Sequence, residues 1–159
     1  MKRMVILACT ILVTLSLGAD PALKEVLHVY DEVNDNSKPY LGYFGEVYAN
    51  QGIDHYQVTV AELEAVDLER YDTIVIHAMV MAFNMKSPVR DWLKTKPPLA
   101  GKKTYLFVTA NRWYLDRLYG QLTSLLEGNT ELDAVSMATK DLDETSKRAV
   151  VQALAARIK

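Results

Sequence analysis

The chain has 159 residues, 50% of them hydrophobic and 24% charged. That is the size and balance of one globular domain, and it excludes a disordered, collagenous or repeat protein. Eighteen Lys and Arg against twenty Asp and Glu leave a net charge of -2, so no whole-domain basic field is offered to nucleic acid.

Lys2 and Arg3 precede an uncharged run from Met4 to Leu17 without Gly or Pro, and Ala19 stands just before Asp20 and Pro21. A basic start, an apolar middle and a small residue at the end are the parts of a secretory signal. The run is about 14 residues long, short of the roughly 20 that a helix needs to cross the hydrocarbon core. The expectation is a signal peptide over 1–19, cleavage after Ala19, and a periplasmic or secreted mature chain whose residues 20–159 form a single domain. An uncleaved membrane anchor is the alternative. Bulky Leu7, two residues before Cys9, argues against lipidation there.

Removing Lys2 and Arg3 leaves 16 basic and 20 acidic side chains, a net charge of -4, and Cys9 is the only cysteine. The mature chain therefore has no disulfide framework, no thiol nucleophile and no Cys-ligated zinc or iron-sulfur site. Its core must hold it together, and a chain of this length buries roughly two-thirds of its unfolded surface.

From Glu25 onward, strand-like and helix-like patterns alternate at the spacing of βα units. Residues 26–30 read as the first strand, and Tyr40, Leu41, Phe44, Val47 and Tyr48 mark one face of the first helix, stopped at Asn50-Gln51-Gly52. Residues 56–60 alternate apolar and polar, a strand with one wet face. Residues 61–70 form a short, partly helical connection. Residues 73–78 are apolar nearly throughout, as a strand covered on both faces should be. Ser87 caps a short helix with Pro88 at its first position, and Val89, Trp92 and Leu93 point inward until Pro97-Pro98.

Residues 104–109 repeat the doubly covered pattern. Leu115, Leu118, Leu122, Leu125 and Leu126 then keep helical spacing up to Gly128-Asn129. Residues 132–138 carry Asp133 and Ser136, which suits an edge strand, and Val150, Val151, Leu154 and Ile158 line a last helix. Strands one, three and four look buried on both faces and two and five half-exposed. That distribution selects an α/β fold of three layers, a doubly wound five-stranded parallel sheet in the order 2-1-3-4-5. The expected core includes Val26, Val29, Ile74, Ile76, Leu106, Val108, Leu118, Leu122 and Leu154.

Leu68-Glu69-Arg70-Tyr71-Asp72-Thr73-Ile74-Val75-Ile76, Ser87-Pro88-Val89-Arg90-Asp91-Trp92-Leu93 and Leu99-Ala100-Gly101-Lys102-Lys103-Thr104-Tyr105-Leu106-Phe107 resemble the flavodoxin family around its third and fourth strands. The resemblance implies FMN as cofactor, over the carboxyl ends of the strands, with its phosphate in a Thr-, Ser-, Gly- and Asn-rich loop after strand one. Asn36 and Ser37 would then hold phosphate. Met81, Phe83, Asn111, Trp113 and Tyr114 lie on the two loops that would enclose the isoalloxazine.

The residues after strand one, Asp31 to Pro39, include no Gly or Thr. Asp31, Glu32 and Asp35 would each repel a phosphate by on the order of 1 kcal/mol at ~4 Å even in water, so they must turn outward if FMN sits there. His77-Ala78-Met79-Val80 replaces the family's Gly-x-Pro after strand three.

Bland readings stand beside these. The aromatics also suit packing under loops or a partner contact, and Arg112 a surface ion pair. His77 is either a general acid or base in the crevice or a core histidine, whereas His28 reads as core and His55 as edge. The three acids could hold a hard cation or simply favour a helix N-terminus. Response-regulator receiver domains share the strand order, and Asp31-Glu32, Thr109-Ala110 and Lys140 imitate three of their positions. His77 occupies the place of their phosphoacceptor Asp, so this likeness is one of topology.

Two functions follow. One is a flavodoxin-like redox protein outside the cytoplasm, passing electrons to a quinone or protein partner or reducing quinones from NAD(P)H. Export in the unfolded state would require it to acquire FMN there. The other is a flavin-free binding or assembly module. A hydrolase lacks a Gly-x-Ser-x-Gly elbow.

Overall fold

The computed structural model describes residues 25–128 and 130–158, so the signal peptide expected over 1–19 and Asn129 lie outside the described residues. Strands β1 (Glu25–Tyr30), β2 (Asp54–Thr59), β3 (Thr73–Met79), β4 (Lys103–Ala110) and β5 (Glu131–Ala138) alternate with helices α1 (Lys38–Gln51), α2 (Pro88–Lys94), α3 (Leu115–Leu126) and α4 (Glu144–Ala155). The sheet order is β2-β1-β3-β4-β5, and every neighbouring pair is parallel. This is the expected doubly wound architecture.

Alternation along each strand sends side chains to two separate cores. Leu27, Val29, Ile74, Ile76, Leu106 and Val108 pack on one face under Val89, Leu93, Leu118, Leu122 and Leu126 of α2 and α3. On the other face Val26, Val75, Tyr105 and Phe107 meet Tyr40, Tyr43, Phe44 and Tyr48 of α1 and Val151, Leu154 and Ala155 of α4. All nine expected core residues are buried.

Local chemistry explains the element ends. Gly52 closes α1 at φ 64°, a left-handed turn that costs glycine little. The Ser87 hydroxyl accepts from Arg90 N–H at 3.1 Å with Pro88 in the first turn, and Asp143 accepts from Ser146 N–H at 2.7 Å to open α4. Two boundaries differ from the sequence reading. β2 begins at Asp54, and Val60 starts a 3-10 turn instead of ending the strand. Tyr43, outside the expected face of α1, is buried while Leu41 and Val47 are half-covered, because α1 packs both on the sheet and against its neighbour α4 and needs a broader apolar face.

Candidate functional site

Parallel topology brings the connections after β1, β3, β4 and β5 to one edge of the sheet. There a cleft of about 480 Å³ opens between the starts of α1 and α4, within the range of small-molecule sites. Its walls come from Asp35, Asn36, Tyr40 and Tyr43 on the α1 side, Met79 and Val80 after β3, Thr109 to Asn111 after β4, and Thr139, Lys140, Glu144 and Lys147 after β5. Thr139 N–H and Lys140 N–H donate to Ala110 and Asn111 carbonyls at 2.8 and 2.9 Å, which ties the last two walls together.

The loop after β1 is closed upon itself. Asn34 Oδ1 accepts from the N–H groups of Asn36 and Ser37 at 2.9 and 3.1 Å. The Ser37 hydroxyl, buried, donates to the Glu32 carbonyl at 2.8 Å and accepts from Asn34 N–H at 2.9 Å. Asn36 is exposed and lines the cleft.

Asp31 corrects an expectation, for it turns inward. Its carboxylate is almost fully enclosed and accepts from Met79 N–H at 2.7 Å and Val89 N–H at 2.8 Å. Two amides left free at the end of β3 and the start of α2 need acceptors, and Asp31 supplies both. Burial nevertheless raises its pKa from 3.8 to about 6, against the lowering effect of those amides. Glu32 pairs with Lys86 at 3.2 Å, and Asp35 stays at the cleft mouth. Among the described residues no group of three or more His, Cys, Asp or Glu is placed to hold a metal ion.

His77 lies inside the α1–α4 core, its ring 5.4 Å from Tyr40 and 4.9 Å from Phe107. Nε2 meets Thr109 Oγ1 at 3.2 Å, whereas Nδ1 has no partner. Burial lowers its pKa to about 3, so it is neutral at pH 7 and enclosed. His28, also fully buried, is held well below its ordinary pKa by desolvation first and His77 second.

The aromatics stand on the rim outside the cleft. Ala82, Phe83 and Asn84 hold consecutive left-handed φ values of 46°, 55° and 65°, a conformation that costs non-glycine residues about 1–2 kcal/mol each. Arg90 offsets it: Nη1 donates to Asn84 O and Oδ1 and to Gln121 Oε1, and Nη2 to Met85 O, at 3.0 to 3.1 Å. Phe83 and Met85 are thereby held out in solvent, 71% and 77% exposed. Tyr114, at φ 64°, meets Phe83 edge to face at 6.2 Å, and Trp113 is exposed beside it. Met81 pairs its backbone with Lys86. Arg112 pairs with Asp141 at 3.3 Å.

Of the seven expected site residues, Asn36 and Asn111 reach the cleft, Ser37 is sealed inside its loop, and Met81, Phe83, Trp113 and Tyr114 are placed on or near the rim. The sequence reading missed Tyr40, Tyr43, Thr139 and Lys147 as cleft walls. Thr139-Lys140, directly after an edge strand, was the available signal.

No protein-family profile matches the sequence, and no curated protein resembles it in sequence. Solved structures do resemble it in shape. Flavodoxin 2 from Bacillus cereus superposes with a TM-score of 0.63 at 15% identity, over 84% of this chain and 99% of that one. The fold is that of a flavodoxin. A flavodoxin from Streptococcus pneumoniae gives 0.61 at 12% identity over 84% and 99% of the two chains, and an oxidoreductase from Corynebacterium diphtheriae gives 0.57 at 12% over 86% and 96%.

FMN can be tested against the residues of this flavodoxin-fold chain. A phosphate dianion needs unclaimed N–H groups and hydroxyls, and Asn34 and Glu32 already take those of Asn36 and Ser37. A flavin ring needs a slot between flat faces, and Phe83 and Tyr114 instead close on each other. The loop after β1 does not fit FMN phosphate.

Proposed function

We propose that this chain is a flavin-free, flavodoxin-fold binding module whose ligand enters the cleft between α1 and α4. The observation that carries this reading is the Asn34 carboxamide, which claims the two backbone N–H groups a phosphate in the β1–α1 loop would need. Titration of the purified protein with FMN, followed by flavin fluorescence and the visible spectrum, tests it. The expected result is no saturable change up to about 1 mM, where ~4 kcal/mol of binding free energy would already register. Saturable quenching with a shifted flavin spectrum would overturn it.

A second reading keeps the redox function of the flavodoxins to which the chain is similar, with electrons passed to a quinone or protein partner. The exposed Phe83, Trp113 and Tyr114 favour it, since flat aromatic faces stack on flat rings. Export belongs to both readings and rests on the pattern of residues 1–19. A mature N-terminus at Asp20, read by sequencing protein from the producing cell, is its test.

A further inference from the structure

The cleft has a polarity that its position over the sheet edge does not require. Lys140 and Lys147, both on its β5–α4 wall, have no carboxylate within 4 Å among the described residues. The neighbouring acids are engaged elsewhere: Arg112 holds Asp141 at 3.3 Å, Asp143 caps α4 through Ser146 N–H at 2.7 Å and feels Lys147 only at longer range, and Arg148 holds Glu144 at 3.1 Å. Asp35 is left as the single unpaired carboxylate of the lining, against two unpaired ammonium groups.

A second, independent observation comes from the opposite wall. Tyr40 is only 4% exposed, and its hydroxyl lies beside Thr139 without a hydrogen bond of ordinary geometry. A buried phenol left unpaired is costly, and a ligand acceptor seated between Tyr40 and Thr139 would remove that cost. Burial raises the Tyr40 pKa to about 12, so the group stays a donor at neutral pH.

We propose that the cleft binds a small organic anion, its carboxylate or phosphate held by Lys140 and Lys147 and its neighbouring oxygen accepting from the Tyr40 hydroxyl. This rests on the reading of the chain as a binding module and names the chemistry of its ligand. It places anion recognition on the β5–α4 side, away from the self-closed loop after β1. Two point charges on flexible stems suit either anion, and the cleft volume leaves room for an organic body beyond the anionic group.

The test uses the ¹⁵N-labelled protein with phenyl phosphate and benzoate as probes and benzyl alcohol as the uncharged control. Saturable shifts of the Asn111, Thr139, Lys140 and Lys147 amides are expected with at least one anion and not with the alcohol, and the stronger arm tells phosphate from carboxylate. Affinity should fall about tenfold in K140Q/K147Q, whose changes lie on partly or fully exposed side chains, and about fivefold in Y40F. Absence of saturation at about 10 mM with both anions, shifts confined to other residues, or unchanged affinity in the double-lysine variant would each overturn the proposal. An FMN-specific spectral change would instead end the flavin-free reading and leave this site standing.

Discussion

Asp31 Oδ1 accepts the N–H of Val89, 58 residues further along the chain, at 2.8 Å, so the end of β1 caps the start of α2. The same carboxylate holds Met79 N–H, and one acidic side chain thereby fixes where the chain leaves β3 and where it re-enters helix.

The sign of its pH dependence follows from burial. A pKa raised from 3.8 to about 6 means that the native state binds the proton more tightly than the unfolded chain. The contribution to stability is fully present below pH ~3.8 and is lost as pH rises through about 6, by about 3 kcal/mol in all. Roughly half of that falls between about pH 5 and 7.5. Urea unfolding should therefore show the Asp31→Asn variant losing more stability at the lower pH than at the higher, because Asn lacks the titration. An equal loss at both would show that desolvation does not dominate at this carboxyl.

The closed loop after β1 predicts a local cost. In Asn34→Ala the N–H groups of Asn36 and Ser37 lose their shared acceptor, and stability should fall by about 1 kcal/mol. Hydrogen exchange at those two amides should accelerate more than exchange in the strands. Unchanged protection would mean that another acceptor serves them.

Phe44 is fully buried, with its ring 4.6 Å from His28 and 5.8 Å from Phe107. Phe44→Ala opens a cavity between α1 and the sheet and should cost about 3–5 kcal/mol. Tyr56→Ala, on the edge strand and 51% exposed, should stay within roughly 0.5 kcal/mol. Denaturant midpoints of the two variants compare the core and the edge directly.

These residues also show what could be read beforehand. β1, β3 and β4 are legible because a strand covered on both faces must be apolar nearly throughout, and the two half-wet strands then have only the edges left. Helix faces were legible to within the width of the stripe, which is why Tyr43 escaped. The site was less legible. Asp31 looked like a repelling charge because its partners are 48 and 58 residues away, and no local pattern encodes two orphan amides meeting one carboxylate. Thr139, Lys140 and Lys147 join Tyr40 only through the packing of α1 against α4, a tertiary fact. The aromatics lie on the loops after β3 and β4, but the left-handed backbone that aims Phe83 outward has no glycine to reveal it.

That backbone gives the last prediction. Arg90, its side chain 12% exposed, spreads its guanidinium over the carbonyls of Asn84 and Met85 and the side-chain oxygens of Asn84 and Gln121. Lysine keeps the charge but has no planar fork and cannot serve all four acceptors in the same geometry. Arg90→Lys should therefore cost about 1–2 kcal/mol, the range for a charged group's hydrogen bonds partly lost, and it should free residues 82–84 to leave the left-handed region. Limited proteolysis should then cut this loop sooner in the variant, and the Phe83 to Tyr114 ring contact should weaken in nuclear Overhauser spectra. If the loop stays protected and the ring contact persists, the strain is held by the Met81 to Lys86 bridge and not by Arg90.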